Sequence, residues 1–300
     1  MLLRPTILIA ATFTLSALRT TAQDKTKEGD LLTWTHTISV VPDSLANAGH
    51  TLPAFLITVY ESDGGQAFDL WKAQMASSSR EVNNGKPAKA IGVTLPAFNS
   101  SPVMVLCTAT TDKKADLGRL SLAYVLNDSV PVMDQEAASA HARELAVALN
   151  KAVVQVRIDA YTKRLDKTND KLDDAQEEVM DNAKDLEKAN KDLAKNRNAV
   201  SKIQADNAKY SGEIAGLEKK FALTNDPKDL KQLTKARQKL AKGEASLAKA
   251  MKSEAKAQDA VSRYQGRSPD HARTAQEHTD SKEEIEAVIA QLKRKQDAIR

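Results

Sequence analysis

The chain has 300 residues, of which 28% are charged and only 4% aromatic, and its formal net charge is +4. That length allows about two ordinary domains, but the charge is unevenly spread. Tyr161 to Arg300 holds 30 of the 44 Lys/Arg and 25 of the 40 Asp/Glu, no Trp and a single Phe, Phe221. This half has the composition of long helices rather than of a compact core. Its mixed signs argue against the one-sided positive face of a nucleic-acid binder, so no nucleic-acid partner is expected.

Residues 1–22 read as an export signal. Arg4 supplies a weak positive start, Ile7 to Leu18 is apolar, and Thr20, Thr21 and Ala22 are small residues before a cut at Gln23. The apolar run is about 12 residues, too short to span a bilayer. No Cys lies near the cut, which leaves a lipid anchor there without its attachment point. The expected location is periplasmic or extracellular, with no transmembrane segment in the mature chain. Cys107 is the one cysteine, so an internal disulfide is impossible. Its neighbours Val103 to Leu106 read as a buried strand, and Cys107 as a small hydrophobe within it.

Residues 28–132 are expected to form an α+β head of order β-β-α-β-β-β. Trp34, His36, Ile38 and Val40 alternate in a first strand, Leu31 to Val41, which Pro42-Asp43-Ser44 should end. Pro53 to Tyr60 is a second strand, closed by the turn Ser62-Asp63-Gly64-Gly65. Phe68, Trp71 and Met75 recur at helical spacing, giving a short helix to about Ser79. Lys89 to Leu95, Val103 to Thr110 and Arg119 to Leu126 follow as strands.

Chemistry is sparse in this head. His36 is in phase with Trp34 and Ile38, so it reads as a sheet histidine, and His50 reads as solvated. Gly64-Gly65 lacks the later Gly-Lys-Ser/Thr of a phosphate loop, so it reads as a turn. Asp43-Ser44-Leu45 and Asp128-Ser129-Val130 fit a short O-glycosylation pattern, and Asn99-Ser100-Ser101 and Asn127-Asp128-Ser129 fit the N-glycosylation acceptor. All four lie in predicted loops, and patterns this short arise often by chance, so no modification is expected. No catalytic residue, cofactor or metal site is expected.

Residues 133–300 carry the strongest signal, a long antiparallel α-helical coiled-coil hairpin. Asp134 can cap a helix beginning Gln135-Glu136-Ala137. Steps of seven from Leu165 reach Leu172, Val179, Leu186, Leu193, Val200, Asn207, Ile214 and Phe221, eight of the nine apolar. At 41% hydrophobic overall, about four would be expected. A second seam three residues on runs through Thr168, Ala175, Asn182, Ala189, Asn196, Ile203, Tyr210 and Leu217. An a/d pattern sustained in this way argues for a coiled coil.

The first arm covers 133–223 and the turn 224–226. Asp226 can cap a return arm, 227–300, that Pro227 begins. The return seam is Leu233, Leu240, Leu247, Glu254 and Val261, with Ala236, Gly243, Ala250, Ala257 and Tyr264 beside it. Gly266 to Pro269 predicts a break at 265–269, although Ile285, Leu292 and Ile299 stay in step with Tyr264. His271 and His278 fall in that seam, about 10 Å apart at 1.5 Å per residue, too far for a shared metal. Arms of similar length favour closure within one chain, and self-association through the seam is the alternative.

The run Lys89 to Pro96, the segment Leu120 to Tyr124 and the passage Ala140-His141-Ala142-Arg143-Glu144-Leu145 into heptads resemble a group of uncharacterised exported bacterial proteins with a small β-rich head before a long coiled coil. The resemblance implies the architecture and brings no activity or catalytic residue. In outline, the hairpin is also similar to those of periplasmic adaptors and of activators of wall hydrolases. The expected function is therefore non-enzymatic: an envelope protein whose rod spaces or docks the head and whose tip, Phe221 to Asp229, meets a protein partner. One competing reading is a polyanion- or membrane-surface binder using Lys231, Lys235, Arg237, Lys239 and Lys242. The other is an enzyme with a cryptic site in the head.

Overall fold

The computed structural model describes residues 32–95, 102–115 and 117–300. The expected signal segment 1–22 and the acceptor Asn99-Ser100-Ser101 lie outside the described residues. An α+β head precedes a helical hairpin. The elements are β1 (Val40–Asn47), β2 (His50–Val59), α1 (Gly64–Ala76), β3 (Glu81–Asn83), β4 (Ala88–Val93), β5 (Val103–Asp112), β6 (Leu117–Val125), α2 (Gln135–Thr224) and α3 (Pro227–Ala298). The strands form one six-stranded sheet in the order β1-β2-β6-β5-β4-β3, antiparallel at every pairing.

The first strand differs from its expected position. Residues 32–39 belong to no strand, and Pro42, expected to end a strand, lies inside β1. β1 is an edge strand, where a residue without an N–H can be accommodated on the unpaired side. The alternation that pointed to a strand at 34–40 comes from packing outside the sheet: Trp34 sits edge-on to Tyr60 at 5.5 Å, His36 stacks on Tyr60 at 4.1 Å, and Ile38 is buried. The three-residue β3 was not anticipated. It is too short to show a period.

By compactness the chain divides into two units. The first comprises the described residues up to Thr162 together with Glu286–Arg300, and the second is Lys163–Ile285. The head therefore extends beyond the boundary at 132 drawn where the helical pattern begins.

In the first unit, Phe55, Ile57, Val59, Leu120, Leu122 and Tyr124 are buried and, by strand register, share one face of the sheet. α1 lies close on that face. A Cβ on Gly118 would stand 2.7 Å from the Asp63 carbonyl and 2.8 Å from the Ala67 Cβ, and one on Gly64 would stand 2.5 Å from the Thr110 carbonyl. Gly64 thus serves close approach, while Asp63 caps α1 by accepting from the Gln66 N–H at 2.7 Å. The opposite face gathers Leu45, Leu52, Ala54, Leu106, Ala123 and Val125.

The start of α2 belongs to this core. Asp134 caps it, accepting from the Ala137 N–H at 2.9 Å. Ala138, Ala142, Leu145, Ala146, Leu149, Val153, Val154 and Ile158 are all buried. Asn150, 1% exposed, ties the helix to the end of β2. Its amide donates to the Thr58 carbonyl at 3.0 Å and accepts from the Tyr60 N–H at 2.9 Å. Tyr124 Oη and His141 Nδ1 are 2.9 Å apart, and burial holds the His141 imidazole below its usual pKa.

An ionic cluster fastens the last turns of α3 in the same unit. Glu61, in the turn after β2 with φ +56°, pairs with Arg157 of α2 and with Lys295 of α3, the latter at 2.5 Å. The Lys295 side chain has no exposure, so burial pulls its amine below the usual lysine pKa while Glu61 pushes it back up. Leu292 within α3 and Ile299 just past its end are buried on either side of it. Lys293 and Arg294 beside it in sequence are exposed, whereas Lys295 is not. It is sealed inside.

The second unit is the distal hairpin. Cross-helix partners step along in opposite directions: Glu178 with His271, Asn182 with Tyr264, Asn196 with Ser253, Glu218 with Arg237 and Lys220 with Asp229. The seam closes within one chain. Ala189, Leu193, Ala257 and Val261 form a buried cluster flanked by Leu186, Ala260 and Tyr264. α3 runs without interruption through the expected break at 265–269, with Pro269 inside it. Residues 265–270 are all exposed. The Gln265 carbonyl that loses its intrahelical donor at Pro269 can therefore bond water instead.

Two predictions follow from these contacts. Glu61→Gln leaves Arg157 and Lys295 beside each other without a carboxylate, and urea unfolding is expected to register a loss of about 3–5 kcal/mol. Lys295→Met, which leaves Glu61 its arginine, is expected to cost less in the same assay. In the hairpin, a Cβ on Gly243 would fall 1.8 Å from Asn207 Oδ1, a buried atom with no hydrogen-bond partner. Gly243→Ala alone should change the melting temperature less favourably than the double variant, because the Asn207 side chain must first swing away. Combined with Asn207→Ala it should raise stability by about 1–2 kcal/mol, by removing the orphaned oxygen and a mid-helix glycine.

Candidate functional site

The hairpin tip is built by residues 220–230. α2 ends where Asn225 adopts φ +47°, a left-handed conformation that asparagine tolerates well. Its N–H closes the last turn onto the Phe221 carbonyl at 2.9 Å. Asp226 caps α3 by accepting from the Lys228 N–H at 2.8 Å, and Pro227 occupies the first helical position, where an N–H would find no intrahelical acceptor. The connection is therefore only two residues long.

A charged clasp holds the two helix ends. Asp229 is 3% exposed, and its carboxylate accepts from Lys220 Nζ at 2.8 Å and from Thr224 Oγ1 at 3.1 Å. The Lys220 contact, helped by Thr224, holds the Asp229 carboxyl below its usual pKa, and the hydrogen bond and charge of Asp229 hold the Lys220 amine above its own. From sequence, Asp229 reads only as an acid near a helix start. Its cross-helix partner becomes visible once the turn is closed.

The outside of the tip combines aliphatic and basic side chains. Leu223 is 87% exposed and Leu230 47%. Lys219, Lys228, Lys231, Lys235 and Lys242 are exposed and make no ion pair among the described residues. A groove of about 500 Å³ just behind the turn is lined by Glu213, Leu217, Lys220, Lys235 and Lys239, among others. Glu218 is engaged by Arg237 at 2.6 Å.

Burial varies among the seam residues read from sequence. In the distal unit Leu172, Leu193, Val200, Leu233, Val261 and Ile285 are buried, and Leu165, Val179, Leu186, Ile214, Phe221, Leu240 and Leu247 are half-buried. Leu292 and Ile299 are buried in the first unit. Asn182 and Asn196, polar positions of the same seams, donate to the Tyr264 and Ser253 carbonyls at 3.1 and 3.3 Å. His271 meets Glu178 at 3.0 Å. Among the described residues, no group of three or more His, Cys, Asp or Glu side chains could hold a metal ion.

The head has a cavity of about 470 Å³ lined by Phe68, Asn84, Lys86, Pro87, Cys107 and Thr108, among others. Cys107 is buried, and desolvation drives its thiol pKa far up, so it stays a neutral thiol rather than a nucleophile. Its lining offers no acid–base pair. The polar clusters that sequence reasoning missed are the Lys220–Asp229 clasp and the Glu61–Arg157–Lys295 group. For Lys295 a signal existed, since it falls in the helical stripe of Leu292 and Ile299. For Glu61 none did.

No helix among the described residues is long and apolar enough to cross a membrane. No protein-family model matches the chain, and no curated protein matches it either.

The clasp predicts a pH window. Its stabilisation by Asp229 is present above the unfolded pKa of 3.8 and is lost as pH falls through the lower folded value. Its stabilisation by Lys220 is present below 10.5 and is lost as pH rises through the raised folded value. The Asp229 carboxyl, followed by NMR, should titrate with a midpoint under 3.8. Asp229→Asn should speed amide exchange over residues 224–230 at pH 7 and leave exchange in the head unchanged.

Proposed function

We propose that this chain is a non-enzymatic exported protein of the cell envelope in which the helical hairpin spaces or docks the small head, with the tip as its docking element. The observation that carries this reading is the tip. Its backbone is tied down by the Asp226 cap and the Lys220–Asp229–Thr224 clasp, yet Leu223 stands 87% exposed beside it. A pre-organised turn presenting apolar side chains loses little conformational freedom on docking. The head cavity lined by Phe68, Pro87 and Cys107 brings together no acid–base pair, which fits the same reading.

A photo-crosslinking side chain placed at 223 in the full chain, expressed in cells, is expected to capture a partner of the envelope. The same probe at Met180, which is 56% exposed on the same hairpin, is expected to capture none. Equal capture at both positions would remove the special role of the tip.

A further inference from the structure

We infer that the surface the hairpin tip engages is an anionic bilayer, with lipid phosphates meeting the tip lysines and Leu223 and Leu230 entering the headgroup boundary. The inference rests on the reading of the tip as a docking element and names what it docks to. Its first support is the distribution of charge. Residues 209–242 carry nine Lys/Arg and four Asp/Glu, whereas the rest of the distal hairpin, 163–208 and 243–285, carries 17 and 19. Residues 209–242, the last turns of both helices on either side of the tip, thus carry a net +5, while the turn itself, 220–230, is balanced.

Pairing sharpens that excess. Asp229 and Glu218 are occupied by Lys220 and Arg237, and Asp226 is engaged in capping α3. Lys219, Lys228, Lys231, Lys235 and Lys242 are left without an ion pair among the described residues. Lys235 and Lys239 also line the groove behind the turn, with Glu213 as its one acid, a setting for a phosphate group.

The second support is the pair of exposed leucines. They flank a two-residue turn at a convex apex, with Lys231 directly after Leu230. A specific protein interface buries about 800 Å² on each partner around an apolar centre, more than two aliphatic side chains at an apex provide. A bilayer boundary accepts single aliphatic side chains while neighbouring lysines extend to the phosphates. It also attracts clustered lysines by its surface charge.

The test is flotation of the purified chain with vesicles of 70% phosphatidylcholine and 30% phosphatidylglycerol, against vesicles of phosphatidylcholine alone. Binding is expected to the anionic vesicles only, and to weaken at least tenfold between 0.05 and 0.5 M salt, as charges more than a few ångströms apart become screened. Lys228→Glu/Lys231→Glu/Lys235→Glu is expected to weaken it at least tenfold, and Leu223→Ser/Leu230→Ser several-fold. All five side chains are exposed, and circular dichroism of each variant should match the parent. No binding to anionic vesicles, equal binding to both vesicle types, or binding indifferent to the tip substitutions would overturn the inference. If vesicles fail while the probe at 223 captures an envelope protein, the docking role stands and its partner is a protein. If the probe at 223 also behaves like the one at 180, both readings fall.

Discussion

Each of the two long helices carries one narrow apolar stripe and little else that would keep it folded. In folded proteins most of a helix's stability comes from packing its apolar face rather than from propensity, so burial of the stripe supplies most of theirs. The stripe is closed by the same chain turning back on itself, and the constraint reaches every other feature of the hairpin. It sets the antiparallel pairing and puts small residues such as Ala189 and Ala257 opposite one another. It also forces the polar seam residues to find partners. Asn182 and Asn196 meet backbone carbonyls across the seam, which specifies register at some cost in stability. Asn207 finds no partner for its oxygen, which occupies the space that a side chain on Gly243 would take.

In the first unit the helices stop being a two-stranded structure and become part of a sheet-based core. The change is visible in the width of the buried face of α2. From Ala138 to Ile158 the buried positions include neighbours such as Leu145 with Ala146 and Val153 with Val154, a broader stripe than two helices alone would cover. The polar contacts change as well. Asn150 bonds β2 backbone, and Glu61 binds one cation from each helix. Such groups are costly to bury and hold only when fully paired, so they admit one arrangement of α2, α3 and the turn after β2.

The tip shows the opposite balance. Its internal polar groups are satisfied by one another, while apolar and cationic side chains face outward. A structural turn has no need of a leucine at 87% exposure, and hairpin stability does not call for a net +5 over residues 209–242. Both features acquire a purpose if the tip meets a surface of opposite charge.

Much of this was legible from residue order. The heptads from Leu165 to Phe221 and from Leu233 to Val261, the turn at Asn225-Asp226-Pro227 and the strands around Val105 and Leu122 all depend on local periodicity and capping, which neighbouring residues encode. The misreadings have physical causes too. The first strand was placed too early because Trp34 and Ile38 alternate while packing outside the sheet. Pro269 predicted a break that an exposed helix face absorbs. What residue order determined by itself was the element types, the seam and the turn that closes it. What only tertiary structure decided was which polar groups meet: Glu61 with Lys295, 234 residues apart, and Lys220 with Asp229 across the turn. Pairing of that kind is set by where folded backbones bring side chains and by how completely water is removed around them, and neither is carried by sequence spacing.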